Sequence, residues 1–528
     1  MNARESWTQR LKRRVARTSS QGPSAFGRGE RPQALSLESS SPSGFATLGA
    51  VVRDPAFLEV IRLAWPIAAA MLGETATGLV DTKLVGGLGA SALGGVGIAL
   101  TFMYLCYALV YGTMRGVKVR AAYAIGRGDP RSAQRYGVAG LVLGAGFGAV
   151  VWIFGRDITW ALELLGFESS LVPYARDFFA ARTSLAPITC MMTALIQHRQ
   201  GLGDSRGAMV PELLGNVLNG VLAYALIYGH FGLPALGVRG AGYGTAIAEL
   251  FIFLLLLGLY VRDERKAGAS GESPTLTRRT AVHEVVTLGL PTGLQFGAEI
   301  AAFMTFTTVL GRIGGAEIAA HQIGLAVIRT SFLPGIAVAE AASILVGRSL
   351  GARSLRDADR YTRAAVVVAV GFMAMCGVVF AVFGRSIAHA FTDDENVAGI
   401  ATRLLVVAAL FQVLDAVNIV YRGALRGAKD VRAAAVIGIG VVWFCIPTAA
   451  YVFGKLLGMG ALGGWLGFVA ETTISSWLFY RRWKTGAWRT AFLVEETLVS
   501  AGGGAETASP ATQATDAAAA SAGASAIS

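Results

Sequence analysis

The sequence predicts an all-α polytopic membrane protein in which twelve transmembrane helices form two six-helix lobes. Three observations lead to this prediction: the composition, a series of apolar spans and an internal repeat. Of the 528 residues 54% are hydrophobic and only 15% are charged, and the mean hydropathy is +0.54. A soluble protein carries about a quarter of its residues as charged groups. The composition therefore excludes a chain built from soluble domains.

Twelve apolar spans follow one another along the chain. Most contain more than about 17 residues and few charges, which favours membrane-spanning helices over strands. The predicted spans lie near 60–82, 97–114, 136–155, 171–196, 208–229, 240–261, 284–310, 318–346, 364–383, 399–421, 433–454 and 461–480.

Basic residues alternate in number along the loops between these spans. Loops after even-numbered spans carry two or more basic residues, such as Arg422 and Arg426 after span ten, whereas loops after odd-numbered spans carry one. The positive-inside rule then places both termini in the cytoplasm of a protein integral to the plasma or inner membrane. The net charge of +12 reflects this topology and does not indicate nucleic-acid binding.

An internal repeat divides the chain into two halves. GRGDPRSAQRY, which starts at Gly126, matches GARSLRDADRY, which starts at Gly351, and the same shift of 225 residues relates Glu74 to Glu299. Six crossings return the chain to the side on which it began, so the two copies share one orientation. Parallel repeats of this kind form transporters that rock one bundle against the other around a central cavity.

The composition and the repeat together predict five regions. The two ends of the chain are rich in small and polar residues, which cannot form a packed core. The regions are a disordered basic tail at 1–54, an N-lobe at 55–262, a cytoplasmic linker at 263–283, a C-lobe at 284–485 and a largely disordered C-terminal tail at 486–528.

Carboxylates inside the predicted spans are the candidate functional groups. Span one contains Glu74 and Asp81. An ionised carboxylate at mid-bilayer costs about 2.5–3.5 kcal/mol on insertion scales, so such residues usually mark a pathway for ions or solutes. The alternative is structural: Glu74 pairs with a neighbouring helix, and Asp81 lies at the outer interface. The same structural alternative applies more strongly to Glu249 and Glu471.

In the C-lobe, two spans carry acids together with amides at helical spacing. Gln295 precedes Glu299 by one turn, and Gln412 and Asn418 flank Asp415 at three residues on either side. A carboxylate and amides on one helix face suit an ion or a polar ligand, although amides also join helices in membranes.

Arg329 in span eight is expected to be a buried cation that needs an acidic partner. Glu299, Glu340 and Asp415 are candidates, and the sequence does not choose between them. An intramembrane carboxylate can load and release a proton, or it can hold Na⁺ with other oxygen ligands. No cofactor other than the coupling ion is predicted, because GxxxxGK[ST], nucleophile-elbow and HExxH motifs are absent from the sequence.

Several strings resemble the multidrug and toxic compound extrusion (MATE) transporters, nearest to their DinF-like branch. The resemblance covers about residues 55–485. The strings are VDT at Val80–Thr82 followed by Val85 and Gly86, EIAAHQIG at Glu317–Gly324, LVGRSLGA at Leu345–Ala352 and LRGAKDVR at Leu425–Arg432.

This resemblance implies a twelve-helix antiporter, not an enzyme, that exports organic, often cationic or amphiphilic, compounds against H⁺ or Na⁺ by alternating access. By resemblance, Asp81 is the N-lobe coupling acid, with Asn219 and Glu74 nearby. Glu299 and Asp415 take the positions of a C-lobe cation site that could hold Na⁺. We expect a monomer in contact with membrane lipid and a small-molecule substrate.

Two alternatives stay open at this point. A flippase for lipid-linked precursors would share the two-lobed architecture, and a broad cationic groove would favour it; in the sequence, however, the basic residues fall in predicted loops. An integral-membrane enzyme or receptor would place polar clusters at one membrane interface, whereas these acids fall within spans.

Overall fold

The computed structural model describes residues 48–155, 162, 164, 167–268 and 276–489. The predicted tail at 1–47, part of the linker and the chain beyond 489 lie outside the described residues. Within the described parts the protein is helical. We call the end of the molecule at which the helices carry most basic residues the base, and the opposite end the mouth.

The N-lobe contains a short helix and seven longer ones, two of which together form one bent span. A proline at the first turn of several helices fixes the backbone where no hydrogen bond is lost. The helices are α1 Leu48–Arg53, α2 Pro55–Gly86, α3 Ala90–Gly126, α4 Pro130–Phe154, α5 Val172–Thr183, α6 Ala186–Gly201, α7 Ser205–Tyr228 and α8 Val238–Gly268.

The C-lobe contains six helices, and a π-helical segment, Ala450–Leu456, continues one of them. These helices are α9 Arg278–Gly311, α10 Gly315–Gly351, α11 Leu355–His389, α12 Glu395–Gly427, α13 Val431–Ala449 and α14 Gly460–Lys484. Among the described residues ten helices are long and apolar enough to cross a membrane. The bent pair α5–α6 and the less apolar α14 bring the number of crossings to twelve, which confirms the predicted fold class.

The predicted single span at 171–196 is two helices. The axes of α5 and α6 differ by 56°. The break falls at Ser184 and Leu185, directly before Ala186 and Pro187. Proline removes one backbone donor and disfavours a helical conformation for the residue before it, so a bend is expected at this position.

The two lobes meet at the base through a hydrophobic cluster. Val60 and Ile67 of α2 pack in one cluster with Ala337 and Ile344 of α10 and with residues of α11 and α12. All four of these side chains are buried. The half of α2 nearer the base is thus packed against the C-lobe over several turns, and apolar burial is the main force that holds the base closed.

Small residues allow α3 and α10 to cross closely at the base. A methyl group added to Gly126 would collide with the backbone carbonyl of Arg348 and lie 3.0 Å from the Cα of Gly351. A methyl group on Gly351 would collide with the carbonyl of Tyr123 in the same way. Because Gly126 and Gly351 are related by the internal repeat, the two copies of the unit contact each other here through equivalent positions.

A second repeat-related pair of contacts closes the base. The Tyr361 hydroxyl donates to Glu59 across the lobes at 2.6 Å, and Tyr136 donates to Glu284 in the same manner. The shift of 225 residues converts Tyr136 to Tyr361 and Glu59 to Glu284. The duplicated sequence therefore forms the same interlobe hydrogen bond twice.

Ordered structure extends beyond the predicted lobe boundaries. Leu48–Arg53, which was predicted to belong to the disordered tail, forms α1, and α8 and α9 extend into the predicted linker. Trp488, which was predicted to lie in the C-terminal tail, is fully buried and stacks on Trp483 with ring centroids 4.5 Å apart. Tryptophan burial explains why the chain remains packed past the last helix.

Candidate functional site

Asp81 and Asn219 form a carboxylate–amide pair between α2 and α7. Asn219 Nδ2 donates to both oxygens of Asp81, at 3.1 Å and 3.0 Å. The Asn219 side chain is buried, whereas Asp81 is partly exposed. One turn further towards the mouth, the Tyr228 hydroxyl donates to the Leu84 carbonyl at 2.7 Å and fixes the same two helices. The structure thus brings together the two N-lobe residues that the resemblance pairs.

Glu74 lies in the same helix but lacks such a partner. Its side chain is more than one-third exposed, and it makes no hydrogen bond among the described residues. It nevertheless lies within electrostatic range of Arg182 in its own lobe and of Arg329 in the other lobe. Because Glu74 is exposed and lies near charges of both lobes, we infer that it lines the space between them. The predicted structural pairing of Glu74 with a neighbouring helix is therefore not observed.

Glu212 of α7 is an acid that the sequence analysis missed. It lies within electrostatic range of Glu74, and its Oε1 atom is buried without a hydrogen-bond partner among the described residues. Asn216, one turn further, approaches Gly73 of α2 so closely that a methyl group there would lie 3.0 Å from the Asn216 amide. The α2–α7 boundary is therefore polar over several turns.

Glu249 has the structural role that was the stronger expectation. It binds Arg182 through both carboxylate oxygens, with an Nη1–Oε2 distance of 2.7 Å, and it accepts from Thr189 at 2.5 Å. All three side chains are buried. A bidentate arginine–carboxylate pair with an additional donor is the arrangement in which a buried ion pair is stable, and it connects α5 and α6 to α8.

In the C-lobe, the carboxylate of Glu299 is paired with Arg422. Arg422 Nη1 donates to Glu299 Oε1 at 2.9 Å, and Gln295 Nε2 donates to the same oxygen at 2.8 Å. Arg426, one turn beyond Arg422, reaches the Gln295 side-chain oxygen at 3.4 Å. The predicted Glu299–Gln295 pair is present, but an arginine that the sequence analysis assigned to a loop completes it.

Asp415 is buried, but its flanking amides serve other partners. Gln412 Nε2 donates to Ser331 at 2.8 Å, and Asn418 Nδ2 reaches Glu471 Oε1 at 3.5 Å. The NH₂ groups of both amides therefore join α12 to α10 and α14, which is the alternative that the sequence left open. The amide oxygens of Gln412 and Asn418 are buried without partners in the described chain, so acceptors are available beside Asp415.

The expectation for Arg329 is wrong. Its side chain is exposed, and none of the three candidate acids pairs with it. Glu299 is bound to Arg422, and the two oxygens of Glu340 are bound to Arg115 at 3.1 Å and to Lys118. Arg329 lies instead within electrostatic range of Glu74 of the other lobe.

The interpretation that basic residues stay in loops is also wrong. Lys118 lies in α3 with 1% of its surface exposed, and Arg182 is buried in α5. Helix α3 continues 12 residues past the predicted end of span two, and α12 continues six past the predicted end of span ten. These two predicted spans ended just before Arg115 and Arg422, whereas the helices continue through both residues. Arg182 and Glu212, in contrast, fall within predicted spans. An ionisable residue inside a span is by itself a signal of a candidate functional residue, so the sequence could have identified both.

Metal-binding clusters are not observed in the described ranges, where no group of three or more histidine, cysteine or acidic side chains could hold an ion. The site is a set of carboxylates, amides and arginines on α2, α7, α9 and α12. Such a set can exchange protons, bind a charged solute and change its hydrogen bonds when one member is neutralised.

Comparisons with known proteins identify the family and the fold. The MatE family model matches residues 66–225 and 291–451, one segment in each lobe. The probable multidrug resistance protein NorM of Pseudomonas putida is 31% identical over 423 residues, which cover 77% of this chain and 90% of the relative.

Solved structures share the fold. A crystal structure described as MATE in the bent conformation aligns with a TM-score of 0.74 at 21% identity and covers 85% of this chain and all of that chain. A MOP superfamily transporter from Pyrococcus furiosus, described as having a binding pocket of reverse polarity, aligns with a TM-score of 0.74 at 21% identity over 84% of this chain and 99% of its own. With a duplicated twelve-helix bundle, a MatE match in each lobe and transporter relatives rather than enzymes, the chain belongs to the MATE family of integral membrane transporters.

Proposed function

We propose that this protein is a proton-coupled antiporter that exports small organic compounds, cationic or amphiphilic, by alternating access. The observation that carries the proposal is the Asp81–Asn219 pair. Its carboxylate is held by a neutral amide, is partly exposed and lies at the boundary of two helices of one lobe. A proton taken up there removes the charge that Asn219 binds and changes the α2–α7 contact.

The closed base supports an alternating-access cycle. The interlobe contacts of Glu59, Glu284 and the paired glycines all lie in the half of each helix nearer the base. By the positive-inside rule the base is cytoplasmic, so the space lined by Glu74 opens to the outside. Protonation of Asp81 from outside can favour one of the two states only because its affinity for the proton differs between them.

We prefer proton coupling to Na⁺ coupling because a cation already lies beside the acids of the C-lobe. The guanidinium of Arg422 already occupies an oxygen of Glu299 and lies within electrostatic range of Asp415. A positive group beside both acids opposes the binding of a second cation. A proton on Asp415 can instead be donated to the unpartnered amide oxygens that flank it on α12.

The substrate class follows from the N-lobe side chains. Glu74 and Glu212 provide negative charge. Tyr111 lies within electrostatic range of Glu74, and its ring centroid is 6.1 Å from that of Tyr107. Carboxylates beside aromatic rings bind organic cations through charge and cation–π attraction. The relative from P. putida is named as a multidrug resistance protein, which agrees with a broad substrate range.

We place the protein in the plasma or inner membrane with both termini in the cytoplasm. The basic ends of α4, α8 and α14 at the base, including Arg481 and Lys484, support this orientation. We infer that one chain is sufficient for transport, because both lobes and the space between them are formed within it.

A second candidate is a flippase for lipid-linked precursors with anionic head groups. The exposed Arg329 and the helical cations at the base favour it, since a cationic groove is what such cargo requires. The two candidates differ in substrate charge, so one assay separates them.

The test is transport by purified protein in proteoliposomes. A fluorescent organic cation is loaded, and pH and Na⁺ gradients are imposed separately. We expect the pH gradient alone to drive efflux, and Asp81→Asn to abolish that response. A response to neither gradient, together with movement of a fluorescent anionic lipid, would support the flippase, and a response to Na⁺ alone would contradict proton coupling.

A further inference from the structure

A small pocket lies between the lobes near the base. Its volume is about 10 Å³, which is room for a single water-sized sphere. Helix α3 contributes Arg115 and Lys118, and α9, α10 and α12 contribute Thr292, Ser343 and Arg426. The pocket therefore exists only while the N-lobe and the C-lobe are in contact at the base.

The charges around this pocket do not balance. Glu340 is the acid in its lining, and both of its oxygens are already bound, one to Arg115 at 3.1 Å and the other to Lys118. Arg426 has no carboxylate partner among the described residues. Its closest polar contact there is the neutral Gln295 oxygen at 3.4 Å, and its Nε atom is buried without a partner.

The nearby charges increase this imbalance. Arg422 and Arg115 both repel Arg426, while Glu299 and Glu340, which attract it, are engaged with other cations. Lys118 is 1% exposed, so water cannot screen its charge effectively. Arg426 is partly buried and its Nε atom is fully buried, and a cation withdrawn from water without a counterion is costly. Three cations of the lining, Arg115, Lys118 and Arg426, face the single carboxylate of Glu340, and Arg426 is the one that has no carboxylate partner among the described residues.

The polar groups that face the pocket are mostly hydrogen-bond donors. Guanidinium and ammonium groups donate only, and hydroxyl groups can donate. Thr292 and Ser343 are buried, and their hydroxyls make no hydrogen bond to any described residue. A water molecule needs acceptors as well as donors, whereas an anion accepts from all of these groups. The volume excludes phosphate and sulfate. A chloride ion is somewhat larger than a water molecule, so it fits when the long Arg426 and Lys118 side chains move slightly outward.

We propose that this pocket binds a single halide ion, chloride under ordinary conditions, held by Arg426, Thr292 and Ser343 beside the Lys118–Glu340 pair. The ion compensates the charge of Arg426. Because it contacts both lobes, it stabilises the state with a closed base and must leave when the base opens. That last consequence rests on the alternating-access function proposed above, whereas halide binding itself does not.

The test measures the midpoint of thermal unfolding of the purified full-length protein in detergent at constant ionic strength. Sodium chloride is titrated against sodium gluconate, whose anion is too large for the pocket. We expect a saturable rise of the midpoint with chloride and with bromide, and no such rise with sulfate. A pocket that holds only water would give equal midpoints in chloride and gluconate, and this result would overturn the proposal.

Variants of the pocket residues test whether the halide ion binds in this pocket. We expect Arg426→Gln to weaken the apparent halide affinity by about tenfold or more, because a charged donor is lost. The same variant should unfold at a higher temperature than the parent in gluconate, since the uncompensated charge is gone. Arg426→Lys should keep part of the response, and Arg265→Gln, at the exposed end of α8, should keep all of it.

A milder substitution protects the test against misfolding. Thr292→Val preserves side-chain shape and removes one donor, so its halide affinity should fall severalfold while the protein remains folded. An unchanged chloride response in both Arg426→Gln and Thr292→Val would exclude this pocket as the site. The measurement needs no transport, so its failure and a failure of the antiport assay are separate results.

Discussion

The two lobes are duplicates at the base and differ at the centre. At the base, the repeat-related pairs Tyr136–Glu284 and Tyr361–Glu59 make the same contact twice. At the centre, the repeat-related acids differ. Glu74 is exposed and makes no hydrogen bond among the described residues, whereas Glu299 is bound by an arginine and an amide.

This difference separates two tasks that a duplicated transporter must perform. A contact that opens and closes between lobes can remain symmetric, because both copies take part equally. A group that exchanges a proton must be free of a permanent counterion, and the N-lobe acids Glu74 and Asp81 meet this condition in the part of the chain that the structure describes. The C-lobe acid Glu299 does not, since Arg422 holds it at 2.9 Å. Of the two repeat-related positions we therefore assign proton exchange to the N-lobe one, whereas in the C-lobe the acid that can take up a proton is Asp415, which forms no ion pair among the described residues.

The substitution Asp81→Asn is the strongest test of this assignment and should have the largest effect on transport. The amide keeps the size of the side chain but cannot bind or release a proton, so efflux driven by a pH gradient should fall by a factor of about ten or more, to the level of empty vesicles. Proteoliposome efflux measures it. The matched control is Asp393→Asn at an exposed position, which should transport normally. Undiminished transport by Asp81→Asn would remove the exchange from this residue.

Neutralisation should destabilise the protein to different extents at the two repeat-related acids. Glu299→Gln leaves Arg422 without its carboxylate. Because both side chains of the pair are 15% exposed, the loss should approach but not exceed the cost of about 3 kcal/mol that applies to a fully buried pair. Glu74→Gln breaks no hydrogen bond and should cost much less. Thermal unfolding in detergent gives both values.

A double variant makes this comparison sharper. Replacing Arg422 with Gln together with Glu299→Gln removes both charges, so much of the lost stability should return. If the double variant is less stable than either single one, Arg422 acts through a different partner.

The glycine contact tests whether the base is symmetric. A methyl group on Gly126 or on Gly351 collides with the backbone of the opposite helix, and forced overpacking costs about 1–3 kcal/mol. Because the two positions are repeat-related, Gly126→Ala and Gly351→Ala should destabilise the closed base to a similar extent. Cysteine cross-linking between α3 and α10 reports the closure. Gly371→Ala, where the added methyl group meets no atom within 4 Å, is the control, and a large difference between the two test variants would argue against symmetry.

The sequence was sufficient for the architecture because its signals are redundant. Span length, charge alternation and the repeat each predict twelve crossings, and an error of several residues at one span leaves the count unchanged. The same uncertainty at the ends of the spans meant that part of the site was not predicted. Arg422 and Arg426 were assigned to a loop because span ten was ended just before Arg422, while α12 continues to Gly427.

Side-chain partners were the less predictable part. Periodicity places Gln412 and Asn418 on the face of Asp415, but it does not say which neighbouring helix provides Ser331 or Glu471. Arg329 illustrates the same limit. A charge inside an apolar span predicts a partner, yet an open space between lobes lets the charge meet solvent instead. The geometry between lobes, which decides both cases, has no local sequence signal.

The smallest effect is expected at an asymmetric contact of the base. Arg360 of α11 donates through Nε to both oxygens of Asp54, at 2.8 Å and 2.7 Å, and this hydrogen-bonded guanidinium lowers the pKa of the Asp54 carboxyl below its usual value of 3.8. The repeat shift converts Asp54 to Arg279 and Arg360 to Arg135, which are two cations. The bridge therefore has no repeat-related equivalent.

The sign of its pH dependence follows from the lowered pKa. A carboxyl with a lower pKa in the folded state contributes stability above its unfolded pKa and loses it as the pH falls through the folded one. Asp54→Asn should therefore lower stability at pH 7 by less than about 1 kcal/mol, the usual range for an exposed pair. The difference between the variant and the parent should begin to shrink near pH 3.8 and disappear as the pH falls through the lowered pKa of the folded state.

Thermal unfolding of parent and variant between pH 7 and pH 3 measures this difference, and Asp393→Asn again serves as the unpaired control. A difference that persists at the lowest pH would mean that the introduced asparagine disturbs the start of α2, where Asp54 accepts from the Ala56 amide at 2.8 Å, rather than the bridge between the lobes. Arg360→Gln distinguishes these causes. It leaves the helix cap intact, so it should reproduce the loss at pH 7 only if the bridge to the C-lobe is responsible.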